Sequence, residues 1–154
     1  MFSGSSGADY QDTVIENDGF WPNLNAGDFE KRRGLPAAQD PERIATAIAN
    51  ATAEVNLQLE MLKTQYMSEG INQAEDIIAF PKIGNKNRVV MQYESAINAR
   101  AKADLLPDIA TVHQRKEGDH LAERSEETKN ELLAESQRII RNMCGLNRST
   151  VTLI

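Results

Sequence analysis

The sequence predicts an all-α protein: a small helical bundle of three main helices plus short ones, with an extended N-terminal arm and a strand-like C-terminal tail. Three observations carry that expectation. Apolar residues recur at spacings of three and four around Ile44 to Tyr66, around Val90 to Ala101 and around Leu121 to Met143, the period of one helix face. Capping and stop residues bracket these runs. Ala, Leu, Glu and Asn dominate while aromatic residues make up only 5% of the chain, so the core must be aliphatic. The 154 residues suit one domain. They divide into a flexible arm over residues 1–19, a bundle over 20–145 and an extended tail over 146–154.

The arm is polar and rich in Gly, Ser and Asp, and its start, Met1-Phe2-Ser3-Gly4-Ser5-Ser6-Gly7, reads equally as a native flexible segment or an added linker. After Phe20-Trp21-Pro22, a short helix is expected from Ala26 to Arg33, with Asn25 as its cap and Gly34 and Pro36 closing it. Asp40-Pro41-Glu42 is a strong helix start: Asp caps, Pro suits the first position, and Glu favours the positive end of the dipole. The stripe Ile44, Ile48, Ala51, Val55, Leu59, Leu62, Tyr66 then predicts one helix of about 28 residues and about 42 Å, ending at Gly70. Residues 71–87 connect, with an apolar Ile77-Ile78-Ala79-Phe80-Pro81 and a turn at Gly84-Asn85-Lys86-Asn87. A helix over residues 88–106 should end or kink at Leu106-Pro107, leaving 108–118 as a linker with some helical character. The last helix should start near Asp119 and end at Cys144 before Gly145. Its apolar face is Leu121, Leu132, Leu133, Ile139, Ile140 and Met143, with Arg138 and Arg141 at its negative end.

Net charge is −6, and it is uneven. Residues 1–69 hold 11 acids and 5 bases (11 − 5 = 6 net negative), and residues 70–154 hold 12 of each. No basic patch stands out, which argues against gripping nucleic acid through its phosphates. No run of about 18 apolar residues exists to span a membrane, and no secretory leader is recognisable. Cys144 is the only cysteine, so no intrachain disulfide forms and a reducing compartment fits.

Chemistry-bearing motifs are sparse. No phosphate loop, dinucleotide fingerprint, nucleophile elbow or zinc-ligand spacing occurs. Glu117-Gly118-Asp119-His120 superficially resembles a helical metal pair, but it spans a glycine and lacks a second copy; His113 and His120 read as solvated surface. No catalytic residue, metal or cofactor is expected. Three features invite other readings. Glu123, Glu127, Glu131 and Glu135 repeat every four residues, which costs helix stability. They form either a solvated face or an acidic ridge, and a ridge facing a lumen would repel passing DNA. Phe20 and Trp21 either plug the core or anchor the arm on a neighbour. Thr150, Val151, Thr152, Leu153 and Ile154 favour a strand yet have no partner strand in the sequence, so the tail is either frayed or pairs with another chain.

Several of these segments together resemble one family. Ile15-Glu16-Asn17-Asp18-Gly19-Phe20-Trp21-Pro22 followed by Asp28-Phe29, then Glu54-Val55-Asn56 with Leu59, then Tyr93 with Ala99-Arg100-Ala101-Lys102-Ala103-Asp104-Leu105-Leu106, and the ending Arg148-Ser149-Thr150-Val151-Thr152-Leu153-Ile154 are similar, in order, to the head completion (stabilisation) proteins of contractile-tailed temperate phages, the GpL type. Residues 71–87 and the first 14 lie outside the resemblance. The resemblance implies a virion structural protein at the head–tail neck, present in the host cytoplasm during assembly. It implies a ring of about twelve copies under the portal protein after DNA packaging. That ring would seal the head and offer a surface to a tail terminator or neck protein, with DNA passing through unread. Phe20, Trp21 and residues 150–154 would then be portal or subunit contacts. The rival functional classes are a small terminase-like packaging subunit, disfavoured by the missing basic excess, another helical interaction subunit, and a metal-binding bundle, disfavoured by the missing ligands.

Overall fold

A computed structural model describes residues 9–33, 35, 40–117 and 120–145, with side chains described outside 109–127. Five helices carry the fold: α1 (Ala26–Arg33), α2 (Pro41–Gln58), α3 (Glu60–Ser68), α4 (Arg88–Glu117) and α5 (His120–Met143). The strands β1 (Val14–Ile15) and β2 (Leu24–Asn25) form a minimal antiparallel ladder, pairing Val14 with Asn25 and Ile15 with Leu24. A single 3-10 turn, Ala74–Asp76, precedes α4. The protein is thus mostly helical, as its sequence predicts.

Local chemistry explains the starts and stops. Asn25 caps α1, its Oδ1 accepting from the Gly27 N–H at 2.8 Å. Gly27 is required there, because a Cβ would lie 2.0 Å from the Gln11 carbonyl oxygen, where the N-terminal strand crosses the helix. Asp40 caps α2 by accepting from the Glu42 N–H, with Pro41 at the first position. The expected single helix to Gly70 is instead two helices. Leu59 sits between them at φ −98° and ψ 7°, in the bridge region rather than the α region. The bonds Leu59 N–H to Val55 O and Lys63 N–H to Leu59 O carry the path through, so the joint interrupts the helix without breaking its apolar stripe. Ile44, Ile48, Ala51, Val55 and Leu59 are buried, with Leu62 and Tyr66 half-buried beyond them. Gly70, at φ +87°, stops α3 where the sequence marks it.

Pro107 does not end α4. The helix runs on to Glu117, so the expected linker at 108–118 is helical as far as it is described. Arg43 of α2 supplies a physical reason. Its Nε donates to Asp108 at 2.9 Å, its Nη1 to Asp104 at 3.1 Å and its Nη2 to the Asp104 carbonyl. The guanidinium therefore clamps both sides of the proline, where the ring removes a backbone bond.

Small residues let α4 and α5 pack closely. Ala96, Ala99 and Ala103 are fully buried, with Leu106 and Leu132 beside the last two. Ser136 is also fully buried and satisfies its hydroxyl by donating to the Ala96 carbonyl at 2.8 Å. Leu132 and Ile140 are the buried residues of α5's expected face, with Leu133, Ile139 and Met143 half-buried; the Leu121 side chain and Asp119 lie outside the described residues. Residues 14–19, read from sequence as part of the arm, are docked on the body through the ladder and through Ile15.

The alanine seam gives a direct test. Ala99→Leu inserts three carbons where no space exists, so it should destabilise the fold by about 1–3 kcal/mol. Urea unfolding followed by circular dichroism reads this, and an unchanged midpoint would contradict the close approach of α4 and α5.

Candidate functional site

The residues between 15 and 23 build the most connected site in the molecule. Asp18 folds the turn: its Oδ1 accepts from the Phe20 and Trp21 N–H groups at 2.9 Å each, and its Oδ2 meets Lys63 Nζ at 3.0 Å. Gly19 takes φ +89°, a left-handed conformation that other residues adopt at a cost. The turn throws Phe20 and Trp21 into this chain's own core, where they are 4% and 2% exposed. Trp21 stacks on Tyr93 of α4 at 4.5 Å and 6°, and Phe20 meets Trp21 edge-on at 4.9 Å. Phe20 also stacks on Tyr66 of α3. The Trp21 indole N–H is buried without a partner, a cost outweighed by the area that the ring removes from water.

Polar groups lock the same place. Asn17 donates through Nδ2 to the Pro22 carbonyl and to the Tyr93 hydroxyl, both at 2.8 Å. Its Oδ1 accepts from Asn56 Nδ2 at 2.9 Å, and its backbone N–H donates to Asn23. The Tyr93 hydroxyl in turn donates to Asn56 Oδ1. Burial, more than any other influence, pushes the Tyr93 phenol far above its ordinary range, so it stays a neutral donor. Arm, α2 and α4 therefore meet in one closed ring of hydrogen bonds. Beside it, Glu54 pairs with Arg100 at 2.8 Å, and Lys102 Nζ donates to the Arg33 carbonyl. This node is architectural. It holds no nucleophile, and among the described residues no three of His, Cys, Asp and Glu cluster as metal ligands.

A hollow of about 390 Å³ opens between β2, α1, α2 and α4. Leu24, Phe29, Ile48 and Val90 floor it, and Arg32, Lys86 and Glu94 line it. Glu94 is drawn to Lys86 at 3.0 Å and to Arg32 at 3.7 Å, so the cations there are largely answered from within.

The other features predicted from sequence are scattered. Residues 146–154, including Thr150, Val151, Thr152, Leu153 and Ile154, lie outside the described residues, as do the side chains of Glu123, Glu127, His113 and His120. Glu131 is exposed. Glu135, the last of the acidic row, meets Arg33 of α1 at 3.6 Å, so it is partly neutralised within the chain. Cys144 is exposed, and its partial burial raises the thiol above its usual pKa, which disfavours the thiolate. Exposed apolar groups are what sequence reasoning passed over: Leu57 and Met61 on the outer side of α2 and α3, and Ile78, Phe80 and Ile83 on the loop before α4. The loop's apolar composition was visible, but its direction was not.

A family model described as phage head completion protein (GPL) matches residues 15–154. The chain is similar to the probable head completion/stabilization protein of Haemophilus phage HP1 (strain HP1c1), at 34% identity over 159 aligned positions covering all of both chains. It is also similar to the head completion/stabilization protein of Escherichia phage P2, at 28% identity over 92% of this chain and 83% of that one. No solved structure matches.

Asp18 yields a pH prediction. Burial alone would raise its carboxyl, but the Trp21 N–H, Lys63 and the Phe20 N–H together hold it below its ordinary value of 3.8. A depressed carboxyl stabilises the fold above the unfolded value and loses that contribution as pH falls toward the folded one. Wild type should therefore lose stability relative to Asp18→Asn as pH falls below about 4. The urea midpoints of the two proteins should converge there, and parallel pH profiles would contradict the assignment.

Proposed function

This chain belongs to the phage head completion protein (GPL) family, and on that premise we propose that it acts as a ring-forming adaptor between the portal and the tail. Copies assemble beneath the portal once DNA is packaged, seal the filled head and present the surface to which a tail terminator or neck protein attaches. The protein is then a virion component at the neck, assembled in the host cytoplasm. The observation that carries the reading is the continuous family match over residues 15–154. Head completion is a structural task and asks for no catalytic group, cofactor or metal.

Within this reading, residues 150–154 of the tail reach a neighbouring subunit or the portal as an added strand. Main-chain hydrogen bonds supply the affinity, and alternate side chains such as Val151 and Leu153 fill pockets. Phe20 and Trp21 contribute indirectly, by fixing the N-terminal segment on the body. On this reading the acidic row on α5 faces the DNA path, where carboxylates repel phosphates over about 8 Å at physiological salt; Glu135, answered by Arg33, adds little to that repulsion.

Deleting residues 149–154 tests the proposal. The truncated chain should keep its helical content and its melting temperature, because none of the core described above draws on that segment. Phage dependent on it should accumulate heads that leak DNA and fail to join tails, with loss of plaques. Normal plating by the truncated protein would refute the tail's role.

A further inference from the structure

Two apolar surfaces of this chain match each other. The first is a ridge. Ala49, Ala53, Leu57 and Met61 follow one another every fourth residue along the outer side of α2 and α3, and all are exposed. Leu57 and Met61 are 79% and 87% exposed, opposite the stripe that faces the core. The backbone bonds through Leu59 keep these two residues one turn apart, so the ridge survives the joint. A row at this spacing is the kind that packs into grooves of another surface.

The second surface is a knob. Ile78, Phe80 and Ile83 are 88%, 70% and 72% exposed, yet the loop that bears them is pinned. Ile77 and Ala74 are buried. Asn87, fully buried, donates to the Ala74 carbonyl and accepts from the Val90 N–H. Ile83 and Lys86 exchange two backbone bonds at 3.0 Å. Large apolar side chains held outward on an ordered loop are preorganised for contact and have little ordering entropy left to lose.

Charge tells which surface meets which. The loop and the residue that opens α4, over 77–88, carry Lys82, Lys86 and Arg88 and no acid; Lys86 is held by Glu94, and the exposed Glu75 and Asp76 stand just before the loop. Residues 53–69, around the ridge, carry Glu54, Glu60 and Glu69 against Lys63 alone; Lys63 is held by Asp18 and Glu54 by Arg100, which leaves Glu60 and Glu69. Lys82 and Glu60 are exposed and stand outside every ion pair among the described residues. The unanswered charges next to the apolar groups are Lys82 on the knob and Glu60 on the ridge, so knob on knob would set Lys82 against Lys82 and ridge on ridge Glu60 against Glu60. Knob on ridge sets opposite ones together.

We propose that the knob Ile78–Phe80–Ile83 of one copy seats on the ridge Ala53–Leu57–Met61 of the next, with Lys82 beside Glu60. The contact joins two different patches, so it is head-to-tail, and repeating it closes a ring when the rotation allows. It deepens the ring reading above and rests on it for its role.

The experiment uses the full chain and two variants at exposed positions, a ridge variant (Leu57→Glu with Met61→Glu) and a knob variant (Phe80→Glu). Circular dichroism checks that both fold. In sedimentation velocity the wild type should form multimers, while each variant alone should stay monomeric. Mixed together, the variants should form dimers that grow no further, because each keeps one good surface. Lys82→Glu and Glu60→Lys should each weaken association about tenfold, and the double variant should recover it. Dimers of either variant alone, a mixture that stays monomeric, or a monomeric wild type would each overturn the proposal. These outcomes are read without a portal, so failure of the adaptor role in phage would leave them separately interpretable.

Discussion

The structure depends on the hydrogen-bonded ring that Asn17, Asn56 and Tyr93 close beneath the Trp21 side chain. Each member comes from a different part of the chain: the N-terminal segment, the end of α2 and the second turn of α4. An Asn side chain both donates and accepts, so two of them can satisfy each other and a buried phenol together. Were either Asn removed, the buried Tyr93 side chain would lose a hydrogen-bond partner, at a cost of about 1–3 kcal/mol. The aromatic stack then sits on a polar floor that cannot shift. Trp21 lies flat on Tyr93, Phe20 braces Trp21, and Tyr66 braces Phe20. The N-terminal residues thereby become part of the body, and α3 is tied to them through Tyr66 and Lys63.

From that node the rest follows in two directions. Toward the C-terminus of α4, alanines replace large residues and α5 approaches closely, with Ser136 bonding across to the Ala96 carbonyl. Toward α1, Gly27 lets the Gln11 backbone cross the helix, and β1 can then reach β2. Arg43 links α2 to α4 at the proline and keeps both on one course. The family's recognisable segments lie along these lines. Asn17 through Pro22, Glu54 through Asn56 and Tyr93 lie at or beside this junction, while Ala99, Ala103 and Leu106 lie on the seam with Leu132 of α5; the ending 148–154 lies outside the described residues.

Much of the helical layout was legible in the sequence, because caps and stops are local chemistry. Asn25, Asp40, Gly70 and Gly145 act where they stand. Two departures were not legible, and both are tertiary. The joint at Leu59 has no Gly or Pro to announce it. Pro107 announces an end that Arg43 overrides from 61 to 65 residues away. The N-terminal segment looked like an arm because its polar residues are many; Asn17 and Asp18 spend their polarity inward, on backbone N–H groups, Tyr93 and Lys63. For Phe20 and Trp21 the sequence left core and interface open, since the same large rings serve both, and the structure places them in the core. The acidic row could be counted but not aimed. Only the Glu135 end has found a partner, Arg33, among the described side chains.

A chain with so ordered a body has little reason to leave large apolar groups in water. Leu57, Met61, Ile78, Phe80 and Ile83 are too exposed to support the monomer's core, and substitution there would cost its stability little. Burying any one of them against a partner would contribute about 1.5–3 kcal/mol. Single exposed apolar residues are ordinary, but these fall into two sets, one on a helix ridge and one on a loop fixed by Asn87. Fixed positions matter for a protein whose task is to complete a particle of defined geometry. A flexible patch would associate at many angles, and a repeated contact closes only when its angle is constant. The node at Asn17, the clamp at Arg43 and the pinned loop before α4 tie the elements that bear the outward apolar groups to one another, which is what the proposed contact requires of them.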